Sequence, residues 1–191
     1  ALDDNQDPLS AIESYNEGIT ESEKLLDREY SPRSATRMAM IIHNMGLSYS
    51  CLEDQEKSLS LFQKAIEIWQ RVLSEDGYAQ AEIQLANGYK NICRSKIILH
   101  DYEGAREPID QCIKLYEKIV YEDGRKACTD YLCDAYCLRG IILHFLNEFA
   151  ESVEQYDKAI CIFEKMYQAE NRDIYAKNLA LYYVNKAGVL V

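Results

Sequence analysis

The stretch N-M-G-L-S-Y-S-C-L-E-D-Q-E-K-S-L-S-L-F-Q-K-A-I-E-I, Asn44 to Ile68, decides how the chain is built. Moved forward 47 residues it meets Asn91 to Leu115, and moved 47 further it meets Leu138 to Ile162, with no gap. Leu52, Leu99 and Leu146 coincide, as do Asp54, Asp101 and Glu148. Ser58, Ala105 and Ser152 coincide, and so do Ala65, Cys112 and Ala159. A fixed period in this range marks a repeat array, in which each unit buries its apolar face only by stacking on its neighbours.

Working outward, Met38, Ile41, Ile42, Met45 and Tyr49 lie at helical spacing and predict a first-type helix over 34–52. L-E-D-Q is its turn. Leu59, Phe62, Ile66, Trp69, Val72 and Leu73 form the apolar stripe of a second-type helix over 56–75. Gly77 is expected to end it in the left-handed conformation, and Gly124 to do the same one period later. Three repeats follow from this, 34–77, 78–124 and 127–170, with further helices over 78–99, 103–122, 127–146 and 149–168. Pro108 falls in the first turns of its helix, where a missing amide costs least. Ahead of these, 8–29 opens on Pro8 and reads as a second-type helix, since Ala11, Tyr15 and Gly18 precede Ser58, Phe62 and Ala65 by 47. Ser34, after Pro32, is expected to cap the next helix. Residues 173–191 read as an unpaired first-type helix. With only 8 Gly and 3 Pro and no strand signal, the expectation is an all-α chain. Its antiparallel helix pairs would wind as a right-handed α-solenoid forming a single array over 1–191.

At 48% hydrophobic and 28% charged the chain is too apolar for disorder. A net charge of -11 opposes sequence-independent nucleic-acid binding, which needs clustered Lys and Arg. No apolar run reaches the ~18 residues a membrane span requires. The acidic start, A-L-D-D-N-Q-D-P, is not a signal peptide and has no initiator Met, so the chain is expected to be part of a longer protein. Seven cysteines, all inside predicted helices, suggest a reducing, cytoplasmic setting.

Each unit carries a small residue, a second small residue 12 positions later, an apolar or aromatic residue 4 beyond it, and a third small residue 3 further on. These are Gly46, Ser58, Phe62 and Ala65; Cys93, Ala105, Ile109 and Cys112; and Gly140, Ser152, Tyr156 and Ala159. The pattern resembles the tetratricopeptide repeat, whose small residues let paired helices approach while the aromatic fills the space between them. That family's usual period is about 34 residues. The internal spacings here are the usual ones, so the extra length lies at the helix ends away from the turn. Gln70 and Glu117 stand near the place of the family's helix-ending proline. A HEAT-like array, with a period of about 40–47, is the alternative; the motif spacing favours the tetratricopeptide reading because it specifies contacts.

The resemblance implies a protein- or peptide-binding scaffold, without catalysis or cofactor, whose first-type helices line a concave groove. Asn44, Asn91 and Asn185 share one phase of these helices. In the family an asparagine near this phase hydrogen-bonds the backbone of an extended peptide; bonding between helices is the other reading. Asn87, Lys90, Asn91 and Arg94 fall on one helix face, polar and doubly basic, which suits an acidic peptide or a terminal carboxylate, or ion pairs with a neighbouring helix. The family's carboxylate clamp is not reproduced, since neighbouring units offer Met40, His43 and Leu47, then Asp134, Cys137 and Ile141. A peptide-sensing domain of a larger bacterial signalling protein is the second functional reading.

Cys128, Cys133 and Cys137 lack the partners of a zinc site and read as small core residues. His43 and His144 match no packing position and are expected to reach the groove. Tyr15, Tyr49, Tyr89, Tyr136 and Tyr156 are expected in the core; Tyr78, Tyr131, Tyr175, Tyr182 and Tyr183 are groove candidates. Phosphate-binding, dinucleotide and hydrolase motifs are absent from the sequence. The last helix, with Leu179, Leu181, Tyr182, Tyr183, Val184, Val189, Leu190 and Val191, has little polar face. It is expected to pack on a continuing chain or on another copy.

Overall fold

The computed structural model describes residues 7–170 and 173–190, with side chains throughout except over 169–175. The helices fall into two compact units, one ending at Leu99 and the other starting at His100. Among the described residues every regular element is a helix.

The first unit holds α1 (Pro8–Arg28), α2 (Pro32–Cys51), α3 (Gln55–Asp76) and α4 (Ala81–Ile98), each packed on the next. Pro32 occupies the first turn of α2, where its missing amide is no loss, and Ser31 caps the helix by accepting from the Ser34 amide at 3.1 Å. The cap is thus Ser31 and not Ser34, because the proline opens the helix two residues earlier than expected. Asp54 caps α3 by accepting from the Lys57 amide. Phe62, Ala65, Ile66, Trp69 and Val72 of α3 are at most 1% exposed, against Ala35 and Ala39 of α2 and Ala81 and Ala86 of α4, all at 0%. Burial of each large side chain contributes about 1.5–3 kcal/mol. The Trp69 indole donates to the Thr36 carbonyl at 3.4 Å.

The second unit holds α5 (Arg106–Glu117), α6 (Thr129–Phe145), α7 (Phe149–Glu170) and α8 (Asp173–Leu190), again packed in sequence. A π-helical turn over Lys118–Glu122 continues α5, and a 3-10 turn over Lys126–Cys128 leads into α6. The Arg106 guanidinium reaches the Glu148 carboxylate, tying the start of α5 to the turn between α6 and α7.

Close approach within a pair is dictated by the small residues. A Cβ placed on Gly46 would lie 2.8 Å from the Phe62 ring, and one on Gly140 would lie 2.7 Å from Tyr156. The Ser152 hydroxyl donates to the Gly140 carbonyl at 2.7 Å in the same contact. The turns repeat as faithfully. Glu53, His100 and Asn147, 47 residues apart, all have φ near +60°, as do Gly77 and Gly124 at the far ends of the second-type helices.

The lengthened halves of the helices carry a contact of their own. The Tyr89 hydroxyl bonds the Gln70 amide at 2.7 Å, and the hydroxyls of Tyr136 and Tyr183 donate to Glu117 at 2.5 Å and Glu164 at 2.7 Å. The paired positions recur every 47 residues, with the direction reversed in the first, where the Gln70 amide donates to the Tyr89 hydroxyl. Gln70 and Glu117, standing where a helix-ending proline is usual, therefore brace the next first-type helix.

Candidate functional site: the cleft between α6 and α8

Within each unit the two complete first-type helices are joined by polar contacts. Asn91 of α4 donates its amide to His43 Nε2 of α2 at 2.8 Å. In the second unit Tyr182 of α8 donates to Asp134 of α6 at 3.0 Å, and the Asn185 amide meets Cys137 Sγ at 3.4 Å. Each pair is 48 residues apart, one more than the sequence period, so a residue bonds the position preceding its own counterpart.

These contacts place the six residues singled out by sequence. Asn44 and Arg94 are exposed, while Asn87, Asn91 and Asn185 are half-buried. Lys90 is only 7% exposed, so the face it was assigned to is not an open basic surface. Its phase is that of His43 and Cys137, both also buried, which turns it inward. His43 likewise departs from expectation. It lies against Phe62 and Trp69 with ring centroids 5.1 and 5.5 Å away, and burial lowers its pKa, leaving a neutral ring that accepts from Asn91. Tyr182, expected in a groove, is 2% exposed. Tyr156 and Tyr136 are buried as expected, and Tyr15, Tyr49 and Tyr89 half so. The Tyr175 side chain and Val191 lie outside the described residues.

What the second unit brings together is a cleft of about 230 Å³. Ile141, His144 and Phe145 of α6 form one wall, Val184, Asn185 and Gly188 of α8 the other, and Tyr156 of α7 lies between. The lining is mostly apolar, with the Asn185 amide and His144 imidazole as polar groups. His144 Nδ1 is buried with no hydrogen-bond partner. A Cβ on Gly188 would meet nothing within 4 Å. Beside the cleft runs an aromatic ledge. Phe145 stacks on Tyr102 at 4.4 Å, and His144 packs edge-on to Phe145 and tilted against Phe149. Phe145 and Phe149 are 52% and 46% exposed, unusual for side chains of this size. Sequence reading anticipated His144 and Asn185 but missed Ile141, Gly188 and the role of Tyr156. Gly188 stands one position past the repeat's small residue, and its one signal was falling on the side of the helix that carries the polar contacts.

Among the described residues no group of three or more His, Cys, Asp or Glu is placed to hold a metal ion, and no helix is long and apolar enough to cross a membrane. Burial raises Cys93 to about 12 and Cys137 to about 11, in the second case against the pull of Asn185, so both stay thiols.

Among curated proteins none matches the chain in sequence. Solved structures do match in fold. The yeast histone chaperone Hif1, described as a scaffold protein recruiting protein complexes to core histones, superposes with a TM-score of 0.64 at 12% identity, covering 95% of this chain and 96% of that one. The apo form of RapI gives 0.62 at 15% identity, and the match spans 95% of this chain but about half, 48%, of RapI. BtubC from P. vanneervenii gives 0.51 at 12% identity over 97% and 84% of the two chains. Models of the tetratricopeptide repeat match residues 38–77 and 134–164, the first and third of the three repeats. The second repeat carries the same spacing of small residues between them, and the chain is a tetratricopeptide repeat protein, a helical array of the protein-interaction scaffold type.

Proposed function

We propose that the chain is a non-catalytic scaffold that binds an extended segment of a partner protein along its first-type helices, with the α6–α8 cleft taking an anchoring side chain. The observation that carries this is the cleft itself: apolar walls, two convergent polar groups and an exposed aromatic ledge at its mouth. The cleft volume suits one apolar or aromatic side chain. Asn185 offers both donor and acceptor to the backbone of the segment that carries it. His144 Nδ1, buried without a partner, costs about 1–3 kcal/mol in the free protein, and a ligand that turns the ring to bond it recovers part of that. In the first unit Asn44, Asn87, Lys90, Asn91 and Arg94 are the proposed contacts, with Arg94 and Asn44 reaching the partner directly and the others holding the face in place. The reading carries with it a reducing, cytoplasmic setting and a protein rather than nucleic-acid partner.

The test is selection of binders from a displayed random-peptide library, followed by titration against Gly188→Phe and Arg94→Ala. The phenyl ring introduced by Gly188→Phe fills the cleft without a backbone clash, so cleft-bound peptides should lose about tenfold or more in affinity to that variant. Selected peptides that bind Gly188→Phe as tightly as the wild type would overturn the cleft as the site.

A further inference from the structure

A second hollow, of about 480 Å³, lies inside the second unit and shares no lining residue with the α6–α8 cleft. Tyr121 from the π-helical turn, Tyr136 from α6, and Glu154, Asp157, Lys158 and Cys161 from α7 surround it. We propose that it is a binding site for an arginine side chain carried by a basic segment of a partner protein. The proposal goes beyond the peptide-binding reading above and does not rest on it.

Local sequence builds the hollow. Glu154, Asp157, Lys158 and Cys161 stand at i, i+3, i+4 and i+7, which is one face of α7. The opposing wall belongs to the π-helical turn Lys118–Glu122 that continues α5, and among the described residues no other second-type helix contains such a turn. Single π turns of this kind recur at functional sites. Tyr121 stands on it and is 62% exposed, and among the described residues it has no hydrogen-bond or ring partner. It offers the hollow an uncovered ring face.

The chemistry of the walls selects a cation. Lys158 already holds its ammonium 5.9 Å from the centre of the Tyr136 ring and 2.9 Å from Glu154, so ring and carboxylate are arranged for positive charge. That ion pair is an exposed i,i+4 contact, weak and screened by salt, and an entering cation can take its place. Asp157 meets Lys186, and Tyr136 donates to Glu117. A carboxylate has two oxygens and several acceptor sites, so Glu154 and Asp157 keep capacity for a further donor. A guanidinium fits better than an ammonium. It is flat, stacks on a tyrosine face, and presents forked donors to carboxylates at its edge. The net charge of -11 draws basic segments to the chain and repels acidic ones.

Cys161 makes the test direct, because it lies in the wall and is exposed, as is Cys51 of the first unit. The whole chain is equilibrated at physiological salt, in excess mercaptoethanol, with the disulfide of guanidinoethanethiol or with the uncharged urea analogue of the same length. Exchange at a thiol forms a mixed disulfide and releases the other half of the reagent as a thiol. Mass spectrometry of proteolytic fragments reads the occupancy at each cysteine, and comparing two reagents at one thiol cancels that thiol's own reactivity. Cys161 should favour the guanidinium over the urea by about tenfold, and Cys51 by about twofold or less. Tyr121→Leu and Glu154→Gln, both at exposed positions and checked by helical circular dichroism, should each bring the Cys161 ratio down to that of Cys51. Equal occupancy by the two reagents at Cys161 overturns the proposal. So does a preference that Cys51 shares, or one that Tyr121→Leu leaves intact, since either would be the general field of an acidic chain.

Discussion

Replacing Gly140 by alanine and, separately, Gly188 by alanine should move stability in opposite directions. Both glycines are in helices, and the substitution is chemically the same. In a helix interior alanine is favoured over glycine by about 0.5–1 kcal/mol. At Gly188 that is the whole effect, since a Cβ meets nothing within 4 Å. At Gly140 the Cβ falls 2.7, 2.9 and 3.0 Å from three atoms of the Tyr156 ring, itself 2% exposed and held on all sides. Overpacking of this kind costs about 1–3 kcal/mol. It exceeds the propensity gain and leaves Gly140→Ala destabilised by about 1–2 kcal/mol. The difference between the two variants is then about 2–3 kcal/mol, or roughly 4–12 °C in Tm for a chain of this size. Urea titration followed by circular dichroism at unchanged m-value gives both numbers. A Tyr156→Leu background should shrink the Gly140→Ala penalty, and a double-mutant cycle measures by how much. If Gly140→Ala proves as stable as Gly188→Ala, close approach of α6 and α7 is not what the small residues secure.

Acidification should weaken the first unit through His43. Its pKa is lowered in the folded state by burial, so the unfolded chain binds the extra proton. The histidine's share of stability is therefore complete above the ordinary value of 6.5 and is lost as pH falls below it, and a His43→Gln variant should show a flatter Tm–pH curve between about 6.5 and 5. At the turns, His100→Asn should raise stability by a few tenths to about 1 kcal/mol, because asparagine tolerates the positive φ better; Gly77→Ala, in open space with φ +61°, should lower it by about 1–2 kcal/mol, both read by urea titration. Of the seven thiols only Cys51 and Cys161 are exposed, so a disulfide-exchange reagent should titrate two rapidly in the native protein and the rest only on unfolding.

Much of the architecture was legible because a repeat states each rule several times. The period located the turns, and Gly77 and Gly124 announced left-handed helix ends by residue type. The other left-handed positions, Glu53, His100 and Asn147, were hidden because three different residues occupy them and only Asn is at ease there. The tyrosine braces were hidden too. A phenol and its partner 19 positions earlier lie on different helices, and nothing in one sequence couples them. Lys90 misled because helical spacing groups residues onto a face without saying which way the face looks. Its counterparts His43 and Cys137 held that information, since a lysine sharing their phase must share their burial. The cleft depends on an axial offset of one residue between neighbouring helices, a quantity that intervals along the chain do not contain.

Trp69, the sole tryptophan, sits at 0% exposure in the first unit with its ring beside the His43 imidazole. Indole emission is thus a private channel for one half of the chain, while helical ellipticity sums over both. Recorded in the same denaturant titration, the two signals overlay only if the halves melt as one. If they separate, the order of the curves names the unit that opens first, and a protonated imidazole dimming the indole would date the acid transition from the same cuvette.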